Sequence, residues 1–287
     1  MTLTRLKDRI LADGLNVLRV AQLADGNIEE EIIHPAALRQ NCYSISKNFT
    51  AAAVGILADS GLLSVDDTLD RFFDLSAYDG AYKAVKVKHL LRQTMGIGKG
   101  FLFEADRYKT GSDDWIDYTF RQPLVHAPGE KMVYSNSTYY LLSCIVEKVS
   151  GLPCGRFLER NLFRKIGITD WAWDICPRGH TMGATGLYLA TKDLVRFGQL
   201  YLQNGMFGEE RVLSGKWVHE AHTFAPGEEN NGYAYGFWLI DDLDYACRGA
   251  NGQEIVISNR HHAVIAAHAY EQKGNVEKVL VEHIGAR

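Results

Sequence analysis

Asn41-Cys42-Tyr43-Ser44-Ile45-Ser46-Lys47-Asn48-Phe49 leads into a run whose apolar residues recur at Ile45, Phe49, Ala52, Ala53, Ile56 and Leu57, the spacing of a helix with one buried stripe. Gly61 marks its end. Residues three apart lie on one side of a helix, so the Lys47 ammonium reaches the Ser44 hydroxyl. The free N–H groups and positive dipole end of the helix face the same spot. A nucleophile thus stands beside a base, which serine needs because an unassisted hydroxyl is a poor nucleophile at neutral pH. A helix-capping serine and a solvated lysine would give the same letters, so a second motif has to decide.

That second motif is Pro128-Gly129-Glu130-Lys131-Met132-Val133-Tyr134-Ser135-Asn136-Ser137. It reads as a turn, a short extended piece and then a helix from Thr138 to about Ser150, stopped by Gly151 and Pro153. Tyr134 and Asn136, two apart in extended chain, project to one side. They offer a phenol that takes or gives a proton and an amide that both donates and accepts. A buried tyrosine with a satisfied hydroxyl is the structural alternative.

With Ser44-x-x-Lys47 first and Tyr134-Ser135-Asn136 about 90 residues later, the chain resembles the penicillin-recognising serine hydrolases, the group of serine β-lactamases, D,D-peptidases and related esterases. Val87-Lys88-His89-Leu90-Leu91-Arg92-Gln93-Thr94-Met95-Gly96 is similar to a family segment that usually ends His-Thr-Ser-Gly, from which Gln93 and Met95 depart. Phe157 to Trp171 and Ala184 to Phe197 resemble two further family stretches, so the likeness runs from about residue 30 to residue 270. It implies an acyl-enzyme on Ser44. Lys47 and Tyr134 would share the proton work, with the choice of general base open, and Asn136 would position Lys47 and the substrate carbonyl. Leu187 and Tyr188 would lie near the cleft, although leucine and tyrosine at such a place are also ordinary core residues. No cofactor and no metal are implied.

The third family motif, Lys-Thr-Gly or its His variant, aligns with Cys247-Arg248-Gly249-Ala250-Asn251-Gly252-Gln253. The resemblance makes the backbone N–H groups of Ser44 and Ala250, next to Gly249, the oxyanion hole, which depends on no particular side chain. Cys247 stands where the carboxylate-binding cation should be. Arg248 could replace it, but strand neighbours point to opposite faces. A small ester or amide is therefore the first expected substrate, with β-lactam, D,D-peptidase or D-aminopeptidase chemistry as the alternative. A weakly reactive β-lactam or peptide sensor is the alternative from another class. Glu159-Arg160-Asn161-Leu162 comes closest to the glutamate loop of some β-lactamases, yet sits in a helical pattern.

At 287 residues, 46% hydrophobic and 23% charged, the chain can bury a substantial core. A net charge of −4 leaves no electrostatic footprint for nucleic acid, and no apolar run of about 18 residues suggests a membrane span. The N-terminus interleaves charge with leucine and reads as a surface helix rather than a secretory signal. Five cysteines, at 42, 144, 154, 176 and 247, show no metal spacing. Their odd number fits reduced thiols in the cytoplasm. His261-His262 reads as a solvated turn.

The expected architecture is α+β: an antiparallel sheet flanked by helices, with an inserted helical lobe. Asn16–Ala24 and Ile28–His34 flank Asp25-Gly26, a strong hairpin signal. Tyr235–Ile240, Leu243–Ala250, Glu254–Ser258 and Ala263–Ala269 follow as strands, and Asn275 to His283 as a helix. Residues 1–75 and 181–287 would build the sheet lobe and 76–180 the mainly helical one.

Overall fold

The structure, a computed structural model, describes residues 2–223 and 232–286. Helix α1 (Leu3–Ala12) precedes strands β1 (Val17–Ala24) and β2 (Asn27–Ile32). Ala24 pairs with Asn27, so Asp25 and Gly26 form a two-residue turn, and φ is positive at both, +48° and +79°. That is the backbone whose twist matches a tight hairpin. The short β3 (Arg39–Asn41) leads to α2 (Ser46–Asp59).

The middle of the chain is helical and loop-rich: α3 (Val87–Leu91), α4 (Trp115–Phe120), α5 (Asn136–Ser150) and α6 (Cys154–Leu158). Then come β4 (Ala172–Trp173), β5 (Leu187–Ala190), α7 (Thr191–Leu202), the two-residue strands β6 (Met206–Phe207) and β7 (Glu210–Arg211), and α8 (Gly215–Ala221). The chain closes with β8 (Trp238–Leu239), β9 (Asp244–Gly249), β10 (Gln253–Ser258), β11 (Ala263–Ala269) and α9 (Val276–Gly285). Of the expected strands, Tyr235–Ile240 shrinks to Trp238–Leu239. The others hold to within a residue or two.

The main sheet has six strands in the order β2-β1-β11-β10-β9-β8, antiparallel throughout. The two ends of the chain meet at its centre, where β1 pairs with β11. In β10 and β11 the side chains alternate between faces. Val256, Ile265 and Ala267 pack with α1 and α9, while Ile255, Ile257, Val264 and Ala266 join the larger core on the opposite face. Both faces are apolar because both are covered. Gly198 lets α7 approach the sheet: a Cβ there would sit 2.5 Å from Val264 Cγ1.

Helix α2 lies inside the larger core, packed against α5 and α6 and buried along most of its length. Phe49 stacks on Phe197 of α7 with ring centroids 4.0 Å apart. Lys47 sits in the buried first turn of this helix, away from water, whereas Asp59 at its far end is exposed.

Candidate active site

Ser44 stands two residues ahead of α2. The chain leaves β3 at Asn41, whose Oδ1 accepts the Tyr43 N–H at 2.8 Å, and passes through a 3₁₀ turn over Tyr43–Ile45. Ser44 is thus at the mouth of the helix, as expected, in a tight turn whose first residue, Tyr43, takes φ +46°. A non-glycine residue there costs on the order of 1–3 kcal/mol. Cys42 N–H donates to Leu187 O at 2.7 Å and Leu187 N–H to Ser46 Oγ at 3.1 Å, pinning the turn to β5 from both sides. Ser44 is left partly exposed while Ile45, Ser46 and Lys47 are buried.

Lys47 Nζ donates to Ser44 Oγ at 3.3 Å, to Asn136 Oδ1 at 2.7 Å and to the Ala184 carbonyl at 2.9 Å. All three donors are used, and none by a carboxylate. Burial therefore pulls the ammonium down to about 7, and the more distant Glu104 charge opposes this. Burial thus disfavours the charged form of the amine that lies beside the serine hydroxyl.

Tyr134 and Asn136 come from the chain entering α5. Ser135 caps that helix: its Oγ accepts the Ser137 and Phe101 N–H groups at 3.2 and 3.1 Å. Gln93, where the sequence departs from the family pattern, serves this segment directly. Its Oε1 accepts the Ser135 N–H at 3.0 Å and the Thr138 hydroxyl at 2.7 Å. Asn136 begins the helix two residues earlier than expected. Its Oδ1 holds Lys47, and its Nδ2 donates to Leu102 O at 3.0 Å. Tyr134 packs against Tyr233 and Trp238, and its ring centroid is 4.8 Å from Lys47 Nζ. Burial pushes its phenol up to about 12, with the adjacent Ser44 hydroxyl opposing. The two groups are shifted in opposite directions, the lysine down and the tyrosine up.

The third motif lies at the end of β9. Gly249 packs against the Ser44 turn so closely that a Cβ would meet Cys42 O at 2.5 Å. Ala250 is exposed and begins a tight turn through Asn251 at φ +62°. Cys247 is fully buried, its thiol pushed up by desolvation. Arg248 stacks on Trp238 and makes a bidentate pair with Glu277 of α9, at 2.6 and 2.8 Å.

Tyr188 is partly exposed on β5 and pairs with Asn41. Leu187 is a correction: its side chain is wholly buried, and its part is played by main-chain bonds that hold Cys42 and Ser46. Glu159 is tied to Arg156 and Arg164. Trp171 and Trp173 line a separate groove of about 530 Å³ with Pro153, Arg156 and Thr181. Sequence reasoning missed Glu104, Leu102 and Ala184. Two of them act through carbonyls, which carry no signal in the letters.

The Beta-lactamase family profile matches residues 22–283. The chain belongs to the beta-lactamase family. Penicillin-binding protein 4* of Bacillus subtilis is 32% identical over 133 residues, which is 44% of this chain and 29% of that protein. Matches to curated relatives span between 29% and 62% of those proteins' lengths. Among solved structures, a penicillin binding protein from Bacillus halodurans superposes with TM-score 0.79 at 18% identity, covering 98% of this chain and 99% of that one. A D-stereospecific amidohydrolase from Streptomyces sp. does so with TM-score 0.73 at 18% identity, covering 98% of each chain. These likenesses establish the β-lactamase/transpeptidase fold, α+β with an antiparallel sheet flanked by helices.

Proposed function

We propose that the chain is a serine hydrolase that forms an acyl ester on Ser44 and turns over small esters or amides. The observation that carries this reading is Lys47 itself. It is buried, held by two neutral oxygens and brought down to about 7 within hydrogen-bond reach of Ser44 Oγ. A structural lysine gains nothing from that position. A general base needs it, since proton transfer is most effective when the group's pKa lies near the working pH.

In the proposed sequence neutral Lys47 takes the Ser44 proton as Oγ attacks the carbonyl. The Ser44 and Ala250 N–H groups receive the oxyanion, and Tyr134, still protonated, hands a proton to the leaving group and is recharged from Lys47. Water then cleaves the ester by the reverse path. Anionic substrates are disfavoured because the third motif offers no free cation: Cys247 is an apolar core residue and Arg248 is engaged by Glu277. Losing one charge-assisted hydrogen bond to a substrate carboxylate costs about 1.5–3 kcal/mol, roughly 10–150-fold in acylation. The named amidohydrolase neighbour supports acyl-transfer chemistry of this kind on the same scaffold.

The test is turnover of p-nitrophenyl acetate and butyrate against a Ser44→Ala control. Hydrolysis well above that control is expected. Equal rates would remove the hydrolase reading.

A further inference from the structure

Glu104 is an exposed carboxylate in a place no part of the mechanism requires. Oε1 is held by Asn41 Nδ2 at 3.4 Å and Thr185 Oγ1 at 3.1 Å. Asn41 ends the strand that feeds the Ser44 turn, and Thr185 follows Ala184, whose carbonyl holds Lys47. Adjacent Cα atoms are about 3.8 Å apart, so the carboxylate and the Lys47 ammonium are anchored to neighbouring residues. The charge of Glu104 is felt at Lys47, Tyr43 and Tyr188 alike. Both of its anchors are neutral. No lysine, arginine or histidine pairs with it among the described residues; Arg107, three positions on, turns instead to Asp174 at 3.4 Å.

The surroundings complete a cationic subsite. Tyr43 and Tyr188 are both partly exposed and adjoin Asn41, the anchor of the carboxylate: Tyr188 pairs with it across β3 and β5, and Tyr43 N–H donates to its Oδ1. Aromatic faces attract an ammonium electrostatically. The cation expected at the third motif is missing, and Arg248 is neutralised by Glu277. The free charge at the mouth of this site is therefore negative, the inverse of what a carboxylate-bearing substrate needs.

We propose that Glu104, flanked by Tyr43 and Tyr188, selects substrates carrying a protonated amine within a few bonds of the scissile carbonyl, namely aminoacyl esters or amides. This names the substrate class of the hydrolase reading above and rests on it. The ammonium binds the free Oε2 of Glu104, and the carbonyl carbon then lies at Ser44.

The experiment compares benzyl alaninate, as each enantiomer, with benzyl lactate, which has a hydroxyl in place of the ammonium, at pH 7. The kcat/KM ratio of amine to alcohol is expected to fall at least 10-fold in Glu104→Gln. Glutamine preserves the bonds to Asn41 and Thr185, and the ratio cancels any effect of the lost charge on Lys47. An unchanged ratio overturns the proposal. Calorimetry on Ser44→Ala separates this from the hydrolase reading, because it needs no turnover. Benzyl alaninate should bind at least 10-fold more tightly than benzyl lactate, and adding Glu104→Gln should erase the difference. Equal binding of the two esters to Ser44→Ala overturns the subsite even if ester hydrolysis is robust.

Discussion

Lys47 and Tyr134 carry opposite shifts for one physical reason: burial disfavours whichever form is charged. For the lysine that form is the acid, so it falls to about 7; for the tyrosine it is the base, so it rises to about 12. The sign of the pH dependence follows. Below about pH 7 Lys47 is protonated and cannot take the Ser44 proton, so kcat/KM for p-nitrophenyl butyrate should fall on the acid side with an apparent pKa near 7. No loss due to Tyr134 should appear below about pH 11. An acid limb near 10 would instead mark an unperturbed lysine. In the letters, Ser44, Lys47, Tyr134 and Asn136 were legible because motif spacing fixes which side chains share a face. The shift that makes Lys47 the proposed general base was not, since desolvation depends on what α5 and Ala184 place around it. Glu104 was invisible for the same reason: its role comes from Asn41 and Thr185, distant in sequence.

At the scale of elements, the site depends on how closely the end of β9 meets the turn before α2. Gly249 makes that contact. A methyl group placed there must displace the Cys42 carbonyl or the strand, and overpacking of this kind costs about 1–3 kcal/mol. Gly249→Ala should keep its far-UV circular dichroism yet lose at least about 10-fold in ester kcat/KM, because the Ala250 N–H moves relative to Ser44. Full activity would show that this contact does not set the oxyanion geometry. The hairpin at Asp25-Gly26 and the helix stop at Gly151 were readable because positive φ has a local cost that glycine avoids; Gly151 takes φ +72°. Tyr43, at φ +46° without being glycine, gave no such warning. Tertiary bonds from Leu187 to Cys42 and Ser46 bracket the turn that holds it. The short β8 was overread because Tyr235 and Phe237 are buried against Trp217, Tyr201 and Tyr245 rather than laddered in the sheet.

Across the whole molecule, strands from the two chain ends pair at the centre of one sheet, and helices cover both faces. The alternating strands near each terminus made that arrangement legible, while the order β2-β1-β11-β10-β9-β8 was not, since pairing of distant strands is a matter of packing. The same arrangement ties the C-terminal helix to the cleft through Glu277 and Arg248. Releasing that arginine should alter selectivity. Glu277→Gln is expected to raise the kcat/KM of anionic nitrocefin relative to neutral p-nitrophenyl butyrate by roughly 10-fold, about one charge-assisted hydrogen bond; no change would mean Arg248 cannot reach the substrate. The central claim is that Ser44 is the activated nucleophile that carries the acyl group, and it is tested most directly by intact-mass and peptide mapping after exposure to a fluorophosphonate probe, which phosphonylates such a serine with loss of fluoride. The account predicts a single adduct on the peptide containing Ser44, formed faster as pH rises through 7 and absent in Ser44→Ala. An unmodified protein, or an adduct that persists in Ser44→Ala, would contradict it.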